Sequence, residues 1–476
     1  MCFSLFPLLL PLVDSWDFAV VELGFFRHDD SYFEVFRQCF HVRFLILVLL
    51  EKLYQLGISP KMVMNVVAVL CIMGMARNVF FFLRERYGFS WEASLLGAWG
   101  ILAFPVWHTQ ISGSVFSYVL FFYLFTAAVI QWWRSHYARA AILLVISLNY
   151  YSLFAFAVGL AVSEFVLTVE RNNFRRKAVQ TFLFSAILLT GYILLDTFVN
   201  IHELSGTYNT LNASMAGSFV GYALGAALVF AVARFTLGKL PEEEFKRRFM
   251  RNVLSLLVLG FFAVMAYWAV GLPMRYFSFG SYGSRHTYLT CIPFALLLAL
   301  VWEVLVRLWT PKAATLVAGG LVLILVILQH QGYSHKVAAL AYREIIAQEI
   351  AKQGEPDSGY VVIQLVDGQA PRHVHAYELA RSLYTAFGKT AWMLNDPWRR
   401  SHIPTPENMR ELYAATKGTK GTLSDQVSGD AYTRFNLYLD GYHQEGRVWY
   451  WWYYLTGNYE AFQPRLVLVE KIPSVG

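Results

Sequence analysis

Apolar runs recur along residues 1–330, most of them as long as one bilayer crossing, with short polar loops between them. In hydrocarbon, a spanning segment must satisfy its own backbone, and a helix of ~20 apolar residues does so. The runs predict spans over 62–83, 91–109, 115–133, 138–151, 152–169, 178–197, 217–235, 252–270, 288–308 and 313–330. Residues 1–13 are apolar but lack the basic start and small-x-small cleavage site of a signal peptide, so they read as a short first helix. About eleven spans are expected. The composition agrees: 57% of residues are apolar and 15% charged, against ~25% charged in ordinary soluble domains. That excludes a disordered chain, a disulfide scaffold and a soluble enzyme of ordinary make-up. Cys2, Cys39, Cys71 and Cys291 are scattered and read as small hydrophobes, with no metal-ligand spacing.

The net charge of +7 fits basic loops held on one side of a membrane better than nucleic-acid binding. One set of loops carries Arg84 and Arg86, Arg134 and Arg139, then Arg171, Arg175, Arg176 and Lys177. The same set continues with Arg234, Lys239, Lys246, Arg247, Arg248 and Arg251, then Arg307 and Lys312. The short loops of the other set hold Arg275 and Arg285. By the positive-inside rule the first set is cytoplasmic, which places the amino end inside and residues after His330 outside. The expected fold class is mainly α: a polytopic transmembrane helical bundle over 1–330, and a small external α/β domain over 331–476. In that domain 360–366 and 390–394 read as strands and 374–387 as a helix. Residues 14–61 form a first external loop, in which 42–56 suits a helix lying in the interface plane.

Ionisable groups at the outer membrane face are the candidates for chemistry, because charge near lipid is costly to keep. The first loop offers Asp14 and Asp17 in DSWDF, then Asp29 and Asp30 in RHDDSYF. Carboxylates there can serve as a general base or bind a divalent cation, or can simply cap the preceding helix. The last short external loop carries Arg275, Arg285 and His286, suited to phosphate recognition or to contact with lipid headgroups. His108 marks the external end of a helix in FPVWHTQ. No nucleotide fingerprint, phosphate-binding loop or nucleophile elbow occurs, so a cytosolic nucleotide is not the expected donor.

Four stretches resemble the GT-C superfamily of integral-membrane glycosyltransferases, in their bacterial form. LPLVDSWDF is similar to the short first helix and the acidic start of the first loop. HVRFLILVLLEKLYQLGISPKMVMNV is similar to an amphipathic stretch led by Arg43. LAFPVWHTQISGSVFSYVLFFYLF carries a Pro-x-x-His turn at His108, and RYFSFGSYGSRHTYLTCIPF resembles the Arg- and Tyr-rich late loop. The family's adjacent acidic pair appears here as Asp14-Ser-Trp-Asp17, with an Asp-Asp pair only at 29–30.

The resemblance implies a catalytic domain over 1–330 and a polyprenyl-phosphate sugar donor. The acceptor hydroxyl would belong to a glycan, lipid or protein. Transfer inverts the anomeric centre at the external face of a bacterial inner membrane, with the carboxyl-terminal domain in the periplasm. It implies Asp14 as general base, with Asp17 or Asp30 orienting the acceptor or holding a divalent cation; no resident cofactor is otherwise expected. Asp29, Arg43, His108, Arg275, Arg285 and His286 are the expected substrate contacts. The other classes open to such a chain are a lipid or polysaccharide transporter, and a non-catalytic membrane assembly protein. A transporter keeps its site near the bilayer midplane, whereas Glu164 is the clear carboxylate within these spans.

Overall fold

The computed structural model describes residues 60–107, 113–148, 152–169, 216–240, 242–268 and 287–354, the strand segments 360–367, 392–393, 433–439 and 467–472, and scattered positions within 49–58, 150 and 173–190. These residues are mostly helical, and they divide into two compact units at Gly332.

The first unit is built from α1 (Pro60–Glu85), α2 (Trp91–Leu102), α3 (Gly113–Trp133), α4 (Tyr137–Ser147), α5 (Ser152–Thr168), α6 (Ala216–Leu237), α7 (Glu243–Trp268), α8 (Cys291–Leu308) and the start of α9 (Pro311–Lys352). Local chemistry sets their ends. Ser90 caps α2 by accepting from the Ala93 amide at 3.2 Å, and Thr310 caps α9 the same way from Ala313, ahead of Pro311 at the first helical position. Glu243 and Glu244 open α7, where carboxylates favour the positive helix end. After α1, Gly88 takes φ +66, a conformation glycine adopts freely, and turns the chain so that the Phe89 amide reaches the Leu83 carbonyl.

Five of these helices are long and apolar enough to cross a membrane, over Val66–Glu85, Gly217–Leu237, Glu243–Trp268, Thr287–Leu308 and Pro311–Ser334. Their outward faces are apolar. Leu70 on α1, Leu224 and Phe235 on α6, and Leu316 and Ile327 on α9 are exposed. Exposed faces this large mark a surface that lipid covers, so this is an integral membrane protein. Inside, α1 packs on α2 and α3, α3 on α4, α5 on α7, α7 on α6 and α8, and α8 on α2. Small residues set the closest approaches, as in other membrane bundles. A Cβ at Gly97 of α2 would lie 2.9 Å from the Ala295 carbonyl oxygen of α8, and one at Gly159 of α5 would overlap Phe262 of α7.

Helix lengths correct several expected spans. The run 91–109 is helical only to Leu102, for 12 residues, and 138–151 yields 11 residues in α4. At 1.5 Å per residue these cover ~16–18 Å of a ~30 Å hydrocarbon core. Pro105 explains the first, because the residue before a proline avoids the helical region. α7 starts at Glu243, ahead of the expected 252, and α9 runs on to Lys352 beyond the expected 330. Residues 1–13 and most of 14–61 and 178–197 lie outside the described residues, including most of the expected interfacial helix.

The second unit contains a four-stranded sheet with strand order β2-β1-β3-β4. β1 (Tyr360–Asp367) pairs in parallel with β2 (Trp392–Met393) and β3 (Thr433–Leu439), and β3 pairs antiparallel with β4 (Val467–Ile472). The strands expected at 360–366 and 390–394 coincide with β1 and contain β2. The helix expected at 374–387 lies outside the described residues. Phe435, fully buried on β3, anchors one face.

Candidate functional site

The helix bundle has two chemically different ends. At the basic end, Arg134 meets Glu85 at 3.4 Å, Arg307 stacks 3.7 Å over the Phe245 ring, and Arg251 donates to the Leu167 and Val169 carbonyls at 3.5 and 3.4 Å. Beneath these charges lies a buried knot. The Tyr87 hydroxyl bonds Ser255 Oγ at 2.6 Å and Ser163 Oγ at 2.9 Å, the two serines bond each other, and Asn252 Nδ2 donates to the Tyr87 carbonyl at 3.2 Å. Burial pushes the Tyr87 phenol up from its ordinary value. The neutral phenol joins α5 and α7 to the end of α1.

Glu303 belongs to the same end and was missed in the reading of the spans, where Glu164 stood as the clear carboxylate. It is 4% exposed. A buried carboxylate in a membrane helix points first to function, but here both oxygens are taken. Oε1 accepts from the Ser90 amide at 2.7 Å, and Oε2 accepts from Arg307 Nη1 at 2.5 Å. Glu303 therefore clamps the amino end of α2, with Arg307 one turn along α8 balancing its charge. The sequence signal was the Glu-x-x-x-Arg spacing inside an apolar run.

The opposite, far end is built from aromatic rings and hydroxyls. Tyr150, in the turn between α4 and α5, meets Tyr118 of α3 and Tyr288 in tilted ring contacts, with centroids 4.5 and 5.4 Å apart. Tyr288 also meets Phe122 and Tyr267. The Tyr150 hydroxyl interacts with those of Tyr267 and Tyr288, and the Leu289 amide donates to the Tyr267 hydroxyl at 3.4 Å. Tyr288 Oη is fully buried and finds no well-aligned hydrogen-bond partner among the described residues.

α2 stops short and leaves carbonyls without helical partners. Trp107 Nε1 donates to the Ile101 carbonyl at 2.5 Å, and Gln329 Nε2 of α9 donates to the Leu102 carbonyl at 3.1 Å. Phe104 packs on Trp107 and on Phe294 of α8. Interrupted backbone inside a bundle is tolerated where protein or a cavity lines it.

All nine expected site residues fall outside the described residues: Asp14, Asp17, Asp29, Asp30, Arg43, His108, Arg275, Arg285 and His286. The fold holds their chain neighbours instead. Trp107, next to His108, is fully buried at the end of α2, and Thr287 and Tyr288, next to His286, enter α8 at the tyrosine cluster. Among the described residues no group of three or more His, Cys, Asp or Glu side chains could hold a metal ion. Cys71 and Cys291 are buried thiols. No protein-family model, curated protein or solved structure matches the chain.

Proposed function

We propose that this membrane protein is a glycosyltransferase of the GT-C kind, moving a sugar from a polyprenyl-phosphate donor to an acceptor hydroxyl at the far end of the bundle. In this reading the basic end faces the cytoplasm, and about eleven apolar segments sit in a bacterial inner membrane, the helices α2 and α4 among them covering only part of its thickness. The far end and an α/β carboxyl-terminal domain then face the periplasm. The observation that carries the reading is the tyrosine-lined far end. Buried hydroxyls converge there, Tyr288 follows His286 by two positions in the chain, and Tyr288 Oη lacks an aligned partner among the described residues. Hydroxyls and aromatic rings together suit a sugar.

Asp14 takes the proton from the acceptor hydroxyl, whose oxygen attacks the anomeric carbon as the bond from that carbon to the lipid phosphate oxygen breaks. Configuration inverts, and the phosphate leaves with the bonding electron pair. Arg285, with Arg275 or His286, holds the charge that grows on that phosphate. Asp17, Asp29 or Asp30 orients the acceptor, and Arg43 and His108 line the donor path. The test is turnover of the full chain in nanodiscs against a panel of polyprenyl-phosphate sugars. Asp14→Asn is expected to lower turnover ~10²–10⁴-fold, the usual contribution of a general base, with donor binding retained. Activity that persists in both Asp14→Asn and Asp30→Asn removes the reading.

A further inference from the structure

A second feature is a cavity between α1, α3 and α5, backed by Ile292 of α8, one turn along from Tyr288. Asn78 and Phe82 of α1, Phe125, Thr126 and Trp133 of α3, and Leu160 of α5 enclose it in part. Its volume is about 20 Å³, and it opens onto the outer face of the helices. The shape is therefore a groove with a small pit. Asn78 Nδ2 donates to Thr126 Oγ1 at 3.1 Å, and Thr126 donates to the Tyr123 carbonyl at 2.8 Å. The Asn78 amide group and the Thr126 hydroxyl are thereby engaged, and the cavity surface is apolar. Such a space offers water no partners.

The rim carries charge. Arg86 lies with its guanidinium 4.8 Å over the Trp133 ring and Nη1 3.8 Å from Glu164 of α5, so it bridges α3 and α5 at the basic end of the groove. A separation of 3.8 Å is too long for a hydrogen bond, and the side chain stays about one-third exposed. The planar fork keeps its N–H donors for an oxyanion. An apolar groove at lipid depth, with an indole and a guanidinium at its rim, matches an acyl chain joined to a phosphate.

We propose that this groove binds an anionic phospholipid, one acyl chain lying between α3 and α5 and the phosphate against Arg86. The lipid completes the packing between the two helices, which otherwise meet where Phe156 touches Phe122 and Phe125. The site stands whether or not the far end transfers sugar.

Native mass spectrometry of the delipidated full chain, titrated with phosphatidylglycerol and with phosphatidylcholine of the same acyl chains, tests it. The parent is expected to retain phosphatidylglycerol about fivefold better, the effect of one arginine beside an anionic headgroup. Arg86→Gln should abolish that preference, and Val129→Trp should fill the groove and reduce retention of both lipids. Leu160→Phe is the second filling variant, for use where Val129→Trp fails to fold. Equal retention by the parent, a preference that survives Arg86→Gln, or full retention by the folded filling variants overturns the proposal. So does tighter binding of a polyprenyl phosphate than of phosphatidylglycerol, which would make the groove a substrate-lipid site.

Discussion

Glu303 and Arg285 are two charged residues with opposite demands on their surroundings. Glu303 gives both carboxylate oxygens to fixed donors, the Ser90 amide and Arg307. Removing a buried hydrogen-bonded partner leaves the other groups unsatisfied, at about 3–5 kcal/mol for a buried ion pair. Glu303→Leu is therefore expected to lower the melting temperature in detergent clearly, and Glu303→Gln by less, because the amide oxygen still accepts from Ser90. Equal melting temperatures for parent and Glu303→Leu would show that the clamp is idle. Tyr87→Phe removes a phenol shared by two serines that remain bonded to each other, so its loss should be smaller, about 1–2 kcal/mol by urea titration. Arg285 is proposed to work instead by gripping two oxygens of a leaving phosphate. Lysine supplies the charge without the planar fork. Arg285→Lys should be impaired in turnover and Arg285→Ala more so; a lysine variant equal to the parent would leave Arg285 as a headgroup contact. Glu303 could not be picked out by hydropathy because VWEVLVRL averages as apolar, whereas its partner four residues on was visible to spacing alone.

Among helices, the apolar runs marked where α1, α3, α6 and α8 would form, since burial in lipid depends on the same quantity that hydropathy sums. Helix ends depend on something else, namely where freed carbonyls find donors. α2 stops at Leu102 because Pro105 follows and because Trp107 and Gln329 take the released carbonyls. Gln329 is 227 residues away, and Trp107, though inside the run, enters hydropathy as a side chain and not as a donor. Gln329→Leu should leave the Leu102 carbonyl unpaired in an apolar setting, costing about 1–3 kcal/mol, and Gln329→Glu should keep the bond only as the protonated acid, losing it as pH rises. A thermal shift series over the two variants checks this, and unchanged stability in Gln329→Leu would mean that another donor serves Leu102. The expected catalytic residues follow a different logic again. They were chosen for charge at a water–lipid boundary, and the described fold reaches their neighbours Trp107 and Tyr288 without reaching them.

For the whole molecule, the loop charges make one joint statement about orientation. Arg86, Arg134, Arg251 and Arg307 all gather at one end of the bundle, as the alternation of basic and nearly charge-free loops requires. Extended through α9, the rule predicts that a cysteine at position 420 is labelled by an impermeant reagent added to intact cells. Protection of that position until the membrane is opened would reverse the proposed topology. Strands β1 and β2 were legible from β-branched and aromatic residues between polar flanks, whereas β3 and β4 went unread. RFNLYL and VLVEKI mix polar side chains into short runs, and their pairing is decided across the sheet, between residues distant in sequence.

The bond from Gln329 to the Leu102 carbonyl also orders events in time. Its two residues are 227 apart in the chain. At a synthesis rate of ~5–20 residues per second, α2 emerges at least ten seconds before its partner exists. During that interval a nascent helix too short to cross the bilayer has an end with no mate, and it must wait in the translocon or against other protein. A ribosome that stalls between α8 and α9 therefore releases a chain whose earliest turns are still unsealed. Membrane proteases that survey unfinished helices should clear such truncated products far faster than the complete chain.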